Sequence, residues 1–270
     1  MQTKMREEFA KIFGEGREPE FYFAPGRVNL IGEHTDYNGG HVFPCALSIG
    51  TYALARKNDC GKMRFYSLNF TRFGMLAVEG PANEFTNVLA DNWCNYPKGV
   101  MWAYTQKGYT IDSGLDILYY GNIPNGSGLS SSASIEVATA VILNDQFGFD
   151  VDMVEVSKIC QFSENKFNGV NCGIMDQFAI AMGKAGHAIF LDTADLSYTY
   201  APLELTGAKI VIACSNKKRG LADSKYNERR SQCETALAQL QAVKPINSLG
   251  ELTEEEFDAM ADTITDPVNR

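Results

Sequence analysis

Apolar and polar residues alternate in two distinct rhythms along this chain, and the rhythm changes several times. Met1 to Gly14 places apolar residues at helical spacing among charged ones and predicts an amphipathic helix. Residues 20–24, 49–57, 62–67 and 73–78 are β-branched or aromatic runs between glycine, proline and asparagine, which predict strands. Residues 91–107 predict a helix, and Leu115 to Tyr120 a buried strand ending at Gly121-Asn122-Ile123-Pro124. From Ser130 onward Ile135, Ala138, Val141 and Ile142 recur at helical spacing, with Ser130 to Ser132 offering N-cap hydroxyls. Helices are expected over 151–166 and from Ile174 to Met182, then strands over His187 to Asp192, Tyr198 to Leu205 and Lys209 to Ser215. Ser224 to Gln241 and Glu251 to Asp262 read as helices. The pattern implies two α/β units, with a boundary near residue 205 and a cleft between them.

Composition narrows the function classes. With 45% hydrophobic and 21% charged residues, the 270-residue chain has enough apolar material for a folded core. The formal net charge of −9 opposes nucleic acid, whose binding would need a local basic patch. The sole candidate, Lys217-Lys218-Arg219 with Arg229-Arg230, is diluted by Asp223, Glu228 and Glu234 and reads as a solvated face. Seven cysteines without a CxxC pair argue against a disulfide framework, and the charged opening helix is unlike a signal peptide. The apolar stretch Ile135 to Leu143 is interrupted by Glu136 and is too short to span a bilayer. A cytoplasmic protein without nucleic-acid or membrane partners is expected.

The segment from Gly121 to Ser134 is strand, glycine-serine loop and helix in succession. Glycines let the backbone approach a ligand, and a helix start presents N–H groups with partial positive charge, so the segment suits an anion such as phosphate. A glycine turn with an over-provided serine cap is the plainer reading. No lysine follows the glycines as a Walker A loop requires, and the dinucleotide-binding spacing is absent.

Read together with that loop, Gly26-Arg27-Val28-Asn29-Leu30-Ile31-Gly32-Glu33-His34-Thr35-Asp36-Tyr37-Asn38-Gly39-Gly40 closely resembles the galactokinase signature. The serine-rich loop resembles the phosphate-binding motif of the wider GHMP small-molecule kinases. Asn171-Cys172-Gly173-Ile174-Met175-Asp176-Gln177-Phe178 and Ser224 to Cys233 resemble two further segments of the same family, in the family order. The resemblance, from about residue 20 to 235, implies an α+β GHMP-kinase architecture. Residues 1–205 would form a ribosomal-protein-S5-like N-terminal domain, and 206–270 the start of a ferredoxin-like C-terminal domain.

It implies an enzyme that transfers the γ-phosphate of ATP, with Mg2+, to the anomeric hydroxyl of galactose, acting as a monomer. Asp176 and Arg27 would be catalytic, with Asp176 accepting or orienting the hydroxyl and Arg27 steadying charge. Glu33, His34, Thr35, Asp36, Gly173 and Tyr226 would hold the sugar. Gly126, Ser127, Gly128, Leu129, Ser130, Ser131 and Ser132 would hold the phosphates, Ser67 the nucleoside region, and Ser132 with Glu164 the metal. Taken singly, Glu33, His34 and Asp36 would read as a capped turn, Asp176 as a helix-starting acid and Glu164 as a helix-face carboxylate. The family carries a further glycine-rich segment beyond the point matching Arg270, so a fragment of low intrinsic activity is expected. Two alternatives stay open: a silent galactose- and ATP-binding sensor, which the intact Ser130 to Ser134 run disfavours, and an N-acetylgalactosamine kinase.

Overall fold

The computed structural model describes residues 1–124, 126–214 and 224–270. Asn125 of the glycine-serine loop, Ser215 and the basic run Lys217-Lys218-Arg219 lie outside the described residues.

A five-stranded mixed sheet organises the first half of the chain. Strands β1 (Glu20–Asn29), β3 (Pro44–Asn58) and β6 (Gly114–Gly121) run antiparallel in that order, β4 (Met63–Ser67) lies parallel beside β6, and β5 (Leu76–Val78) forms the edge. The two-residue period of the strands splits their side chains between two cores. On one face Ala53, Ala55, Leu115, Ile117 and Tyr119 pack beneath helices α2 (Asn95–Gln106), α3 (Ser131–Phe147) and α4 (Met153–Lys166). On the other, Leu54 and Leu118 meet Met5, Phe9 and Phe13, spaced four apart on helix α1 (Gln2–Phe13). Burying each such side chain contributes about 1.5–3 kcal/mol. Arg56 ties α1 down by donating to the Phe13 and Gly14 carbonyls at 3.3 and 3.0 Å.

Local sequence accounts for the helix boundaries. Pro97 sits in the first turn of α2, where its missing N–H costs no intrahelical bond. The Asp152 carboxylate caps α4 by accepting from the Val154 and Glu155 amides at 2.9 and 3.0 Å. Gly148, at φ 68°, closes α3 in the left-handed conformation that only glycine adopts freely.

A second, three-stranded sheet joins β2 (His41–Val42), β7 (His187–Asp192) and β8 (Tyr198–Pro202). Its apolar face and helix α5 (Met175–Ala181) share a small core of Val42, Ile174, Phe178, Ile189 and Leu191. β7 and β8 therefore pack with the first half of the chain. Residues 209–214 are not a strand, for no neighbouring strand among the described residues offers a ladder for their backbone groups. Beyond them come α6 (Ser224–Gln241) and α7 (Glu254–Met260), around Ala236, Leu240, Ile246 and Ile264. The last helix starts later than expected because Thr253 and Glu256 form a reciprocal capping box, and it ends at Met260, where a 3₁₀ turn over Ala261–Thr263 takes over.

Candidate functional site

The register of β1 against β3 slips between Pro25 and Arg27. Such a bulge bends a strand and re-aims the side chain beside it. Here Arg27 reaches across the molecule: its Nε and Nη2 lie 2.7 and 2.6 Å from Asp176 Oδ1, while its Nη1 donates to the Gly128 carbonyl at 2.7 Å. Its backbone N–H also donates to the Leu129 carbonyl at 3.2 Å. One guanidinium thus joins the start of α5 to the glycine-serine loop.

The loop is built from left-handed turns at Gly126 (φ 71°), Gly128 (φ 73°) and Ser130 (φ 59°). Ser130 stands at the N-cap position of α3, as the sequence predicts, yet its hydroxyl does not cap the helix. It donates to Asp176 Oδ2 at 2.5 Å, and no side chain caps α3. Both Asp176 oxygens are therefore engaged, and the helix start remains open to an anion. Ser127 folds back, its hydroxyl donating to the Pro124 carbonyl at 2.7 Å. Leu129 is buried beneath the loop.

Asp36 sits beside this pair. Its Oδ2 accepts from the Met175 amide at 3.2 Å, and Gly173 lies so close that a methyl group there would come within 2.0 Å of that oxygen. Burial first, then the Asp176 charge, raises the Asp36 carboxyl above its ordinary value. His34, at φ 63°, pairs its Nδ1 with the Tyr37 hydroxyl at 2.5 Å. Glu33 is exposed and accepts from Asn29 Nδ2 at 3.1 Å. Helix α6 brings Tyr226 over His34, with ring centroids 5.6 Å apart. Thr35 differs from these: its hydroxyl faces the Gly32 and His41 carbonyls at 2.8 and 2.7 Å and pins the turn.

Glu164 and Ser132 come together from α4 and α3. Glu164 accepts from Gln177 Nε2 at 2.6 Å, and the Ser132 hydroxyl hydrogen-bonds to it. Burial, followed by the Asp176 charge, pushes the Glu164 carboxyl up to about 7. Gln177 Nε2 also donates to Glu136 Oε2 at 3.2 Å. Glu136 is wholly buried, its carboxyl held well above the usual range by desolvation and then by Glu164, and its Oε1 has no partner among the described residues. Glu136 and Gln177 were not singled out from sequence as site residues. A lone carboxylate inside the apolar run of α3 is the signal that could have found Glu136.

A cavity of about 240 Å³ opens beside the helix start, lined by Ser67, Trp93, Tyr96, Ile123, Ser131 and Ser132 among others. Ser67 lines this cavity together with Ser131 and Ser132. The sequence marks Trp93 and Tyr96 only as part of a helix. Asn92, also lining the cavity, breaks that helix with φ 48° and ψ −117°.

The chain is similar to known proteins along most of its length. Residues 7–57 match the galactokinase galactose-binding signature and residues 95–184 the GHMP kinases N terminal domain. The chain is 61% identical to a galactokinase of Clostridium acetobutylicum over 97% of its own length and 67% of the relative's. It is 51% identical to a galactokinase of Bacillus subtilis over 100% and 69%. The crystal structure of Lactococcus lactis galactokinase complexed with galactose superposes with a TM-score of 0.92 at 43% identity, covering 99% of this chain and 69% of that one. The mevalonate kinase of Methanococcus jannaschii, at 16% identity and a TM-score of 0.57, shares the fold.

Proposed function

Because the chain belongs to the galactokinase family, we propose how its residues divide the work of that family's reaction, the ATP-dependent phosphorylation of galactose at its anomeric hydroxyl. The observation that carries the assignment is Asp176, held through Oδ1 by Arg27 and through Oδ2 by Ser130 at the mouth of the glycine-serine loop. Asp176 takes the anomeric hydroxyl as its hydrogen-bond donor and accepts its proton as the phosphoryl group transfers. Arg27 spans the carboxylate and the loop, so its charge lies where negative charge moves between nucleophile and phosphate. Phosphoryl transfer passes through a loose transition state that needs chiefly positioning and electrostatic support, which a rigidly held carboxylate and guanidinium supply.

The sugar lies against Glu33, His34, Asp36, the Gly173 backbone and Tyr226, a set of acceptors and donors suited to a ring of hydroxyls. Gly173 supports this reading by leaving just enough room for Asp36. Thr35 contributes by holding the turn that carries them. The phosphates rest on residues Gly126 to Ser132 at the open start of α3. The base and ribose enter the cavity of Ser67, Trp93 and Tyr96, where Trp93 Nε1 is a buried donor without a partner among the described residues.

Magnesium fits Ser132 and Glu164. Both are hard oxygen donors, and magnesium keeps phosphate and water among its ligands. A cation would also offset the Asp176 charge that raises the Glu164 carboxyl, and the Glu164 charge that raises Glu136. When bound, it neutralises charge on the β- and γ-phosphates. The first domain would end near residue 205: the apolar clusters of residues 5–191 are separate from that of residues 236–264. A cytoplasmic location fits the seven free thiols.

Asp176→Asn tests the central assignment. Galactose and ATP dissociation constants should stay within about threefold, while ADP formation falls about 10²–10⁴-fold. Turnover near that of the wild type would remove Asp176 from the chemistry, and faster turnover with N-acetylgalactosamine than with galactose would displace the substrate assignment.

A further inference from the structure

We propose that Tyr37 is a positioning residue for sugar recognition, its hydroxyl fixing the His34 imidazole in the tautomer that presents an Nε2–H donor. The proposal rests on His34 being a sugar contact.

Tyr37 OH lies 2.5 Å from His34 Nδ1, so one hydrogen bond engages the ring nitrogen. A phenol is the better donor of the two and a poor acceptor, because its oxygen lone pair is delocalised into the ring. Its donation to Nδ1 leaves the imidazole proton on Nε2. Burial pushes the Tyr37 phenol up to about 12, so the donor keeps its proton throughout the physiological range.

The Cys233 thiol also hydrogen-bonds the Tyr37 hydroxyl, but its sulfur is a far weaker acceptor than the imidazole nitrogen, and the other surroundings fix the phenol in turn. The Arg230 guanidinium lies 4.9 Å from the Tyr37 ring centroid, where a cation polarises the O–H toward donation. The Tyr226 ring meets Tyr37 edge-on at 5.9 Å and meets the His34 ring at 5.6 Å, so the three rings form one packed cluster. His34 itself is exposed and has a left-handed backbone, φ 63°, which a residue with a side chain adopts only under constraint. An exposed imidazole on such a turn would sample several rotamers without a partner. Tyr37 supplies the partner, and α6, through Tyr226 and Arg230, holds Tyr37.

Tyr37→Phe keeps the ring packing and removes only the hydroxyl. Galactose binding by calorimetry should weaken about three- to tenfold, the usual worth of one net hydrogen bond, with kcat within about twofold and the ATP KM unchanged. In a His34→Ala background the same substitution should add nothing, because Tyr37 acts through the imidazole. The chain has 3 histidines, so ¹⁵N-histidine spectra can assign the tautomer directly. The unmodified protein should show His34 protonated on Nε2, and Tyr37→Phe should give a mixture. An Nδ1–H tautomer in the unmodified protein, unaltered galactose affinity in Tyr37→Phe, or a full Tyr37→Phe effect without His34 would each overturn the proposal. Unchanged galactose affinity in His34→Ala alone would instead overturn the reading of His34 as a sugar contact.

Discussion

Gly173→Ala perturbs the candidate sugar site by a single methyl group whose neighbours are known. That carbon would stand 2.0 Å from Asp36 Oδ2, 2.2 Å from its Cγ and 2.7 Å from Oδ1. Ordinary carbon–oxygen contacts lie near roughly 3.3–3.6 Å, so the carboxylate or the Gly173 backbone has to move by more than about 1 Å. Asp36 is too short to step aside at its tip alone, since Cγ itself is obstructed. Moving it breaks the bond from the Met175 amide at 3.2 Å. Moving the backbone instead drags the segment that leads into α5 and displaces Asp176. A misplacement of about 1 Å at reacting groups costs on the order of 10²-fold. We expect kcat/KM for galactose, measured by coupled ADP release, to fall on that scale, with the ATP KM changing far less. In an Asp36→Ala background the obstruction is gone and Gly173→Ala should cost little more. A loss below about threefold in the otherwise unmodified enzyme would refute the close packing of Gly173 on Asp36 as a constraint on function.

Arg27→Ala should lower kcat by about 10²–10³-fold, the scale of a lost fixed donor at a developing charge; a change confined to the galactose KM would make Arg27 a ground-state binder. Asp36→Asn bears on pH. Burial and the Asp176 charge raise the Asp36 carboxyl, so its ionised form costs stability above the ordinary carboxylate range, and the cost disappears as pH falls through the raised value. The variant should melt higher than the sugar-free wild type at about pH 7, the gap closing towards about pH 4, while binding galactose more weakly; a gap independent of pH would contradict the cause given. Glu164→Ala should raise the magnesium concentration for half-maximal turnover several-fold, and Ser132→Ala less so; identical titrations would put the ion elsewhere.

Local rules carried the reading of β6, the glycine-serine loop and α3, because a buried strand, a glycine turn and an apolar helix each leave a short-range signature. They stopped where a distant partner outbid a local one. Ser130 has the residue type and position of a cap, but Asp176, 46 residues on, takes its hydroxyl. Pro25-Gly26 reads as the end of a strand at residue 24, yet a bulge carries β1 through to Asn29 and aims Arg27 at a carboxylate 149 residues away. The two residues of β2 are too few to show any period. Family resemblance supplied the long-range pairings that periodicity could not, but not Glu136, Trp93 or Tyr96, whose surroundings only the folded chain reveals. Four non-glycine residues among those described have a left-handed backbone: His34, Asn92, Ser130 and Leu196. Three of the four border the candidate sugar, nucleotide and phosphate sites. Such conformations persist only where the surrounding fold over-determines them, so at three of these four positions the failure of local preference coincides with the candidate site.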